Sequence, residues 1–524
     1  MASLVPYLFL AALVAALLFR SRRAKTSLPP GTKLLPGPPG KPLVGNLLEI
    51  PPQHSWLKFR EYIQEYGPIV RLSIAGQEHV IIGKESVAND LLRERGTIYS
   101  CRYDAVAVVR LLSDSLFMLF IPYGELWRRE RRFMHHVAMS SVAPAYRPDQ
   151  TLEAVRVLRD IVRKPEDYQV IFECASVGIG MRLLYGQRLG SGRDWECRTI
   201  LDIVHELERV GSPGAYLVDI FPSMLRIPDF LAPWKRYLKA RQRQDEAFFT
   251  EMVDRTKRDM QAGKKARSWA RTWLETKEKW GLSDREAIYM FGSVFEASAT
   301  STSSAMMSFV LAMVRNPEWF AKLQAEVDGV AGPDRLPTYD DMPDLPLVRA
   351  CVKETLRYYP VTGGGFPHKL TQDDVYDGYF LRAGTIVHPV QWAIHRDPEQ
   401  YPDPDTFNPG RWLDPSFPTY KEPLTVYPNL QNYTAFGHGR RICQGITIAE
   451  NSVNLQAALL AWGSDLGRAR DADGKEIVPP LYDYVAGFNV APKPFKFTLK
   501  ARSEEKADLI ERAYQQSLKD DPLL

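Results

Sequence analysis

Apolar and polar positions divide the chain into unequal stretches. Ala2 to Phe19 is almost wholly apolar and runs straight into Arg20-Ser-Arg-Arg-Ala-Lys25. Eighteen such residues make about 27 Å of helix, close to the hydrocarbon thickness of a bilayer. The positive charge follows the apolar run, whereas a cleaved signal peptide carries it in front. The stretch therefore predicts a retained transmembrane anchor with the rest of the chain in the cytosol. Leu28-Pro-Pro-Gly31 and Leu35-Pro-Gly-Pro-Pro-Gly-Lys-Pro42 come next. Prolines this dense cannot continue a helix and predict a semi-rigid spacer. The chain thus divides into an anchor over 1–20, a basic and proline-rich hinge over 21–42, and one body over 43–524.

Within the body, two β-branched runs around Ala75-Gly76 predict a hairpin over 69–84. Residues 99–122 are apolar without a clean period and predict loops and short helices. Helical patterns dominate from 150 to 280, broken by prolines in Val218-Asp-Ile-Phe-Pro222 and Ile227-Pro-Asp-Phe-Leu-Ala-Pro-Trp234. Ser283-Asp-Arg-Glu286 has the form of a capping box, and about 28 largely apolar residues follow it. That helix would span roughly 45 Å, the width of a domain. Glu296 and the hydroxyl cluster Ser298-Ala-Thr-Ser-Thr-Ser-Ser304 interrupt it, so it is not a second membrane span. The charged tail after 502 predicts a cap on the surface. Together these elements predict a mainly α protein with a smaller β-rich part, an α+β fold.

Composition changes this picture little: 45% hydrophobic and 25% charged residues are ordinary for a globular protein. A net charge of +4 over 524 residues carries no nucleic-acid footprint. The five cysteines, at 101, 174, 197, 351 and 443, form no C-x-x-C pair. An odd and scattered set excludes a disulfide framework and suits a reducing compartment.

The candidate chemistry lies in Phe436-Gly-His-Gly-Arg-Arg-Ile-Cys-Gln-Gly445, a loop entering a helix with one cysteine at its tip. Backbone N–H groups at a helix start, glycines that let them come close, and Arg441 two residues away favour a thiolate at Cys443. A lone thiolate cannot complete a zinc site, which wants four ligands. It can be the single protein ligand of a haem iron. A buried cysteine is usually only a small hydrophobe. Five defined letters, however, recur by chance in a chain this long on the order of once in ten thousand.

With this loop the sequence resembles the haem-thiolate monooxygenases, the cytochromes P-450, over roughly residues 28–500. The resemblance implies that Cys443 is the axial ligand of a haem b, that Arg441 partners a propionate, that Phe436 packs beside the thiolate, and that Gly439 and Gly445 shape the loop. Gln444 stands where an apolar residue or proline is commoner. The resemblance also gives Trp127 and Arg131, four apart on one helix face in Trp-Arg-Arg-Glu-Arg131, propionate contacts through the indole N–H and the guanidinium. His368, at the end of Tyr359-Pro-Val-Thr-Gly-Gly-Gly-Phe-Pro-His368, takes the same role, with three glycines leaving space for a bulky substrate. Glu354 and Arg357 in Lys353-Glu-Thr-Leu-Arg357 and Arg411 in Phe407-Asn-Pro-Gly-Arg-Trp412 match the family's buried ion triad. On the long helix, Ser298 maps to the family's glycine, Thr300 to its acid and Ser301 to its threonine. Glu296, four residues before Thr300, would then feed protons through Thr300 and Ser301. Residues 99–122 and Leu481–Phe488 would line the substrate pocket.

The function implied is a monooxygenase that inserts one oxygen atom from O₂ into a lipophilic small molecule. NADPH electrons would arrive through a flavoprotein reductase, at the endoplasmic reticulum membrane, with the catalytic body facing the cytosol. The hydroxyl-rich turn and the Pro-His pair are most similar to fungal secondary-metabolism members, with terpenoid, polyketide or indole substrates. Arg128, Arg129 and Arg132 form either a solvated face or a docking patch for the reductase. Two alternatives have other consequences: a haem-thiolate isomerase or dehydratase needing no reductase, and a non-catalytic, membrane-anchored haem or lipid binder.

Overall fold

The computed structural model describes residues 28–212, 214–485, 487, 489–521 and 523. The expected anchor over 1–20 lies outside them. Eleven helices of ten residues or more stand among the described residues. In chain order they are α1 (Ser55–Tyr66), α2 (Glu125–Ala138), α3 (Arg147–Arg163), α4 (Tyr168–Tyr185), α5 (Trp195–Gly211), α6 (Pro233–Gln261), α7 (Asp284–Arg315), α8 (Pro317–Ala331), α9 (Pro346–Tyr358), α10 (Ile446–Gly463) and α11 (Glu504–Lys519).

Helix α7 organises the rest. Its start is fixed by the expected capping box: Ser283 Oγ accepts from Glu286 N, and the Glu286 carboxylate accepts from Ser283 N. It is long and apolar enough to cross a membrane, but most of its side chains are buried inside the protein. Helices α4, α5, α6, α9 and α10 pack around it. Two glycines permit the closest approaches. A Cβ on Gly180 of α4 would stand 2.7 Å from Ser298 Oγ, and one on Gly292 would stand 2.6 Å from the Phe249 ring of α6.

The β part is smaller. Strands β1 (Ile69–Ile74) and β2 (Gln77–Ile82) form the expected hairpin, with Ala75 and Gly76 at φ 48° and 78° as its two turn residues. Strands β3 (Cys101–Arg102), β4 (His368–Lys369) and β7 (Ile386–Pro389) complete a sheet in the order β1-β2-β7-β4-β3. The β2–β7 pairing is parallel and the other three are antiparallel. Val80, Val387, His368 and Arg102 therefore sit in one row across it. The pairs β5 (Asp374–Tyr376) with β6 (Tyr379–Leu381) and β8 (Ser464–Arg468) with β9 (Phe497–Ala501) stand apart.

Three expectations give way here. The proline run is docked on the body: Leu35 is buried, and Pro36 O accepts from Arg71 N at 2.8 Å. The body therefore begins before residue 43. Of the glycine run, Gly363 is covered by the Trp56 ring of α1, 3.1 Å from where a Cβ would stand, and Gly365 by Pro389 O at 2.1 Å. Gly365 lines an internal cavity beside Thr362 and Phe366, but the room left by the missing side chains of Gly363 and Gly365 is taken by Trp56 and Pro389 rather than by a substrate. The tail is no loose cap, because Ile510 and Tyr514 of α11 are buried in the core. Beyond it Asp521 pairs with the buried Arg182 of α4.

Candidate active site

The cysteine loop bends back on itself before α10 begins. Cys443 N donates to Phe436 O at 2.8 Å, and Gly445 is the residue from which α10 departs. Cys443, Phe436 and Gly445 all wall one internal cavity of about 420 Å³. The Cys443 side chain is open to this cavity, and desolvation by the surrounding protein pushes its thiol above the ordinary value, opposed by the Gly445 N–H and the charge of Arg131. The loop is clamped to α2 in both directions. Arg131 Nη2 donates to Ile442 O at 2.7 Å, and Gln444 Nε2 donates to Arg131 O at 3.1 Å. Gln444, the residue that departs from the family pattern, is thus half of this clamp. Gly439 does not line the cavity. A Cβ there would lie 2.1 Å from Leu92 O, at φ 53°, so this glycine seats the loop against residues 89–94.

One end of the cavity is strongly cationic. Trp127, Arg131, Arg441 and His368 all wall it, and Arg102 joins them. Arg441 donates to the carbonyls of Ser100, Met118 and Ile121, with its guanidinium 4.6 Å above the Trp127 ring. Arg102 donates only to Leu119, Phe366 and Pro367 carbonyls. Burial lowers Arg102 and Arg131 to about 10, and burial together with Arg102 lowers Arg441 to about 8. His368 Nδ1 donates to Tyr99 O at 2.8 Å, and burial holds that ring well below its usual value. None of the three arginines forms an ion pair among the described residues. Buried guanidiniums with carbonyl partners alone call for an anion. The two propionates of a haem ligated by Cys443 fit that need. Arg102 was not among the candidates. Its neighbours Tyr-Ser-Cys carry no local signal, and only its place opposite His368 on the adjoining strand brings it here.

Glu354, Arg357 and Arg411 meet, each fully buried. Arg357 Nε and Nη2 grip the Glu354 carboxylate at 2.8 Å each, and Arg411 Nε reaches it at 3.2 Å. Trp412 Nε1 and Asn408 N add two more donors. The triad joins α9 to the segment that precedes the cysteine loop.

The α7 wall differs from the expected relay. Glu296, Ser298, Ser301 and Thr302 line the cavity, but Thr300 does not. The Thr300 hydroxyl accepts from Asn489 Nδ2 at 2.8 Å, so the path from Glu296 through Thr300 to Ser301 is interrupted. Ser301 Oγ donates to Ala297 O at 2.8 Å, the back-bond common for hydroxyls in helices, and keeps its lone pairs for the cavity. Thr302, Glu208 of α5 and Asn489 are liners that the sequence reading missed. Asn489 is the described residue nearest the end of the expected Leu481–Phe488 turn that reaches the cavity. Ala486 and Phe488 lie outside the described residues. Of 99–122 only Arg102, Met118 and Leu119 reach the cavity, while the apolar residues of Val106–Leu112 pack into the core.

Known proteins are similar to the chain along most of its length. The cytochrome P-450 family model matches residues 35–460. A cytochrome P-450 monooxygenase of Armillaria gallica is 35% identical over 485 residues, 92% of each chain. The monooxygenase fogE of Aspergillus ruber is 35% identical over 90% of this chain and 88% of its own. The monooxygenase virE of Hypocrea virens is 32% identical over 92% and 87%. A cavity walled by a single cysteine and by arginines awaiting an anion, in a chain matched along most of its length, belongs to an oxidoreductase of the cytochrome P-450 monooxygenase family.

Proposed function

We propose that the enzyme inserts one atom of O₂ into a lipophilic secondary metabolite of terpenoid, polyketide or indole type. Electrons would come from NADPH through a membrane-bound flavoprotein reductase. The observation that carries this reading is Cys443 walling a largely apolar cavity whose one end holds three arginines without carboxylate partners. A haem b bound there supplies the iron at which dioxygen is activated. Cys443 would ligate that iron, and Arg102, Arg131, Arg441, Trp127 and His368 would hold the propionates. Leu183, Leu207, Val294, Ala305 and Val361 line the substrate space with hydrocarbon and exclude water.

Insertion of one oxygen atom leaves the other as water, which takes up two protons. Ser301 and Thr302, two of the α7 hydroxyls that line the cavity, would hand them on. Ser301→Ala should retain haem but release more hydrogen peroxide per NADPH consumed, with product lowered about a hundredfold. Coupling equal to wild type would place proton delivery elsewhere. The same assay tests the function itself, using lipophilic candidates that shift the haem spin state. Product must require NADPH and reductase. Product formed without them would favour the isomerase reading.

The body would sit on the cytosolic face of the endoplasmic reticulum membrane, tethered by residues 1–20. Leu217, Phe230 and Leu231 are exposed large apolar residues that would rest on the same bilayer. Deleting residues 1–27 should move most of the protein into the soluble fraction, since the apolar run supplies the main binding term. Salt-resistant membrane association after deletion would locate the anchor elsewhere. For the reductase, Arg128 and Arg132 lie exposed on α2 and share Glu125, while Arg129 pairs with Glu286. That face would carry the docking surface.

A further inference from the structure

The walls of the cavity are polarised. Its arginines belong to the cysteine end, and no lysine lines it anywhere among the described residues. Two carboxyls line it as well: Glu296 from α7 and Glu208 from α5, helices that pack directly on each other. Glu296 is only 5% exposed, and its Oε1 has no hydrogen-bond partner. Arg241, whose charge acts on Glu296, is committed elsewhere, to Asp245 and Asp202 at 2.7 Å each. Asp245 adds to the burial that raises Glu296 well above the usual carboxylate range. Among the described residues, none of the three arginines at the cysteine end forms an ion pair with either glutamate.

Glu208 is partly buried, and among the described residues its carboxylate has one donor. Its carboxylate accepts from Asn489 N at 3.2 Å, and burial pushes it up to about 7. The turn opposite is shaped around it: a Cβ on Gly487 would stand 2.5 Å from Glu208 Oε2. A buried, unpartnered carboxyl is costly, and a purely hydrocarbon substrate would leave that cost in place. Glu296 and Glu208 also serve none of the haem contacts described above.

We propose that the substrate carries a basic nitrogen, whose cationic form lodges against Glu296 with Glu208 as the second acceptor. The hydrocarbon remainder would then extend along the apolar walls toward Cys443. This rests on the monooxygenase reading and narrows its substrate class to amine-bearing skeletons. A desolvated ion pair and the apolar body would act together, each placing the other.

The test uses the full-length, haem-loaded protein and two probes of one shape. One is a phenylbutyl chain ending in a trimethylammonium group, which cannot ligate iron. The other is the same chain ending in tert-butyl. Dissociation constants are read by the spin-state shift and, independently, by calorimetry. Wild type should bind the cation at least about tenfold more tightly than its isostere. Glu296→Gln should abolish most of that preference, and Glu208→Gln should reduce it, with affinity for the neutral probe unchanged. Equal binding of both probes by wild type, or a preference kept in both variants, would overturn the proposal. The reduced carbon monoxide spectrum separates the two readings. A thiolate-type band with no preference defeats only the amine assignment, whereas absence of the band defeats the haem-thiolate reading as well.

Discussion

Cys443→Ser should abolish turnover and remove the thiolate-type Soret band from the reduced carbon monoxide complex. A serine hydroxyl does not ionise at neutral pH, so the anionic sulfur donor has no replacement. The substitution should leave the loop in place. Its geometry rests on Cys443 N donating to Phe436 O and on the two-way clamp with Arg131, none of which uses the sulfur. Haem should then be retained through the arginine end even as the band is lost, so haem content and the spectrum must be measured together. An unaltered band in this variant would remove Cys443 from the site.

The second large effect falls on a residue that does not line the cavity. Glu354→Gln removes the one anion shared by two fully buried guanidiniums. Stranding buried charge in this way costs roughly 3–5 kcal/mol, a large part of the 5–15 kcal/mol by which native domains typically exceed their unfolded states. Five donors converge on Glu354, from Arg357, Arg411, Trp412 and Asn408. A neutral amide presents one oxygen to them and two further protons where none can be accepted. The variant should be rapidly degraded by protease and carry little haem. Arg411→Lys, which keeps a charge near Glu354, should fall between it and wild type. Wild-type haem content and protease resistance in Glu354→Gln would show that the triad contributes little to holding the proximal segment.

What could be seen in the sequence was local. The cysteine loop, the capping box at Ser283 and the hairpin turn at Ala75-Gly76 each depend on residues a few positions apart, so spacing alone exposes them. Glu354 and Arg357 belong to the same class, one helical turn apart. Arg411 needed the order of motifs along the chain as well. What could not be seen depends on segments far apart in sequence. Arg102 faces the cavity because β3 pairs with β4 some 266 residues later. Thr300 leaves the wall because Asn489 reaches it from 189 residues away. Helical periodicity places Thr300 on the face of Glu296 but cannot foresee that capture. The glycine run misled for the same reason: a missing side chain shows that room was needed, not which neighbour takes it. Trp56 and Pro389 took it.

The sheet row Val80–Val387–His368–Arg102 also bears on the order in which the protein becomes able to bind its cofactor. Ile82 pairs in parallel with Pro389, 307 residues further on. Closing a loop of that length costs about 5 kcal/mol of chain entropy before any contact offsets it. Pairings of such high contact order form slowly. Arg102 and His368 become neighbours only in the strands that flank this pairing, so the anion-binding end is among the last parts to assemble. The helices around α7 can collapse earlier on contacts nearer in sequence, α4 with α3 for example. Haem capture should therefore follow sheet closure during folding. A chain delayed at that stage would hold compact helices while Arg102 and His368 still lay apart.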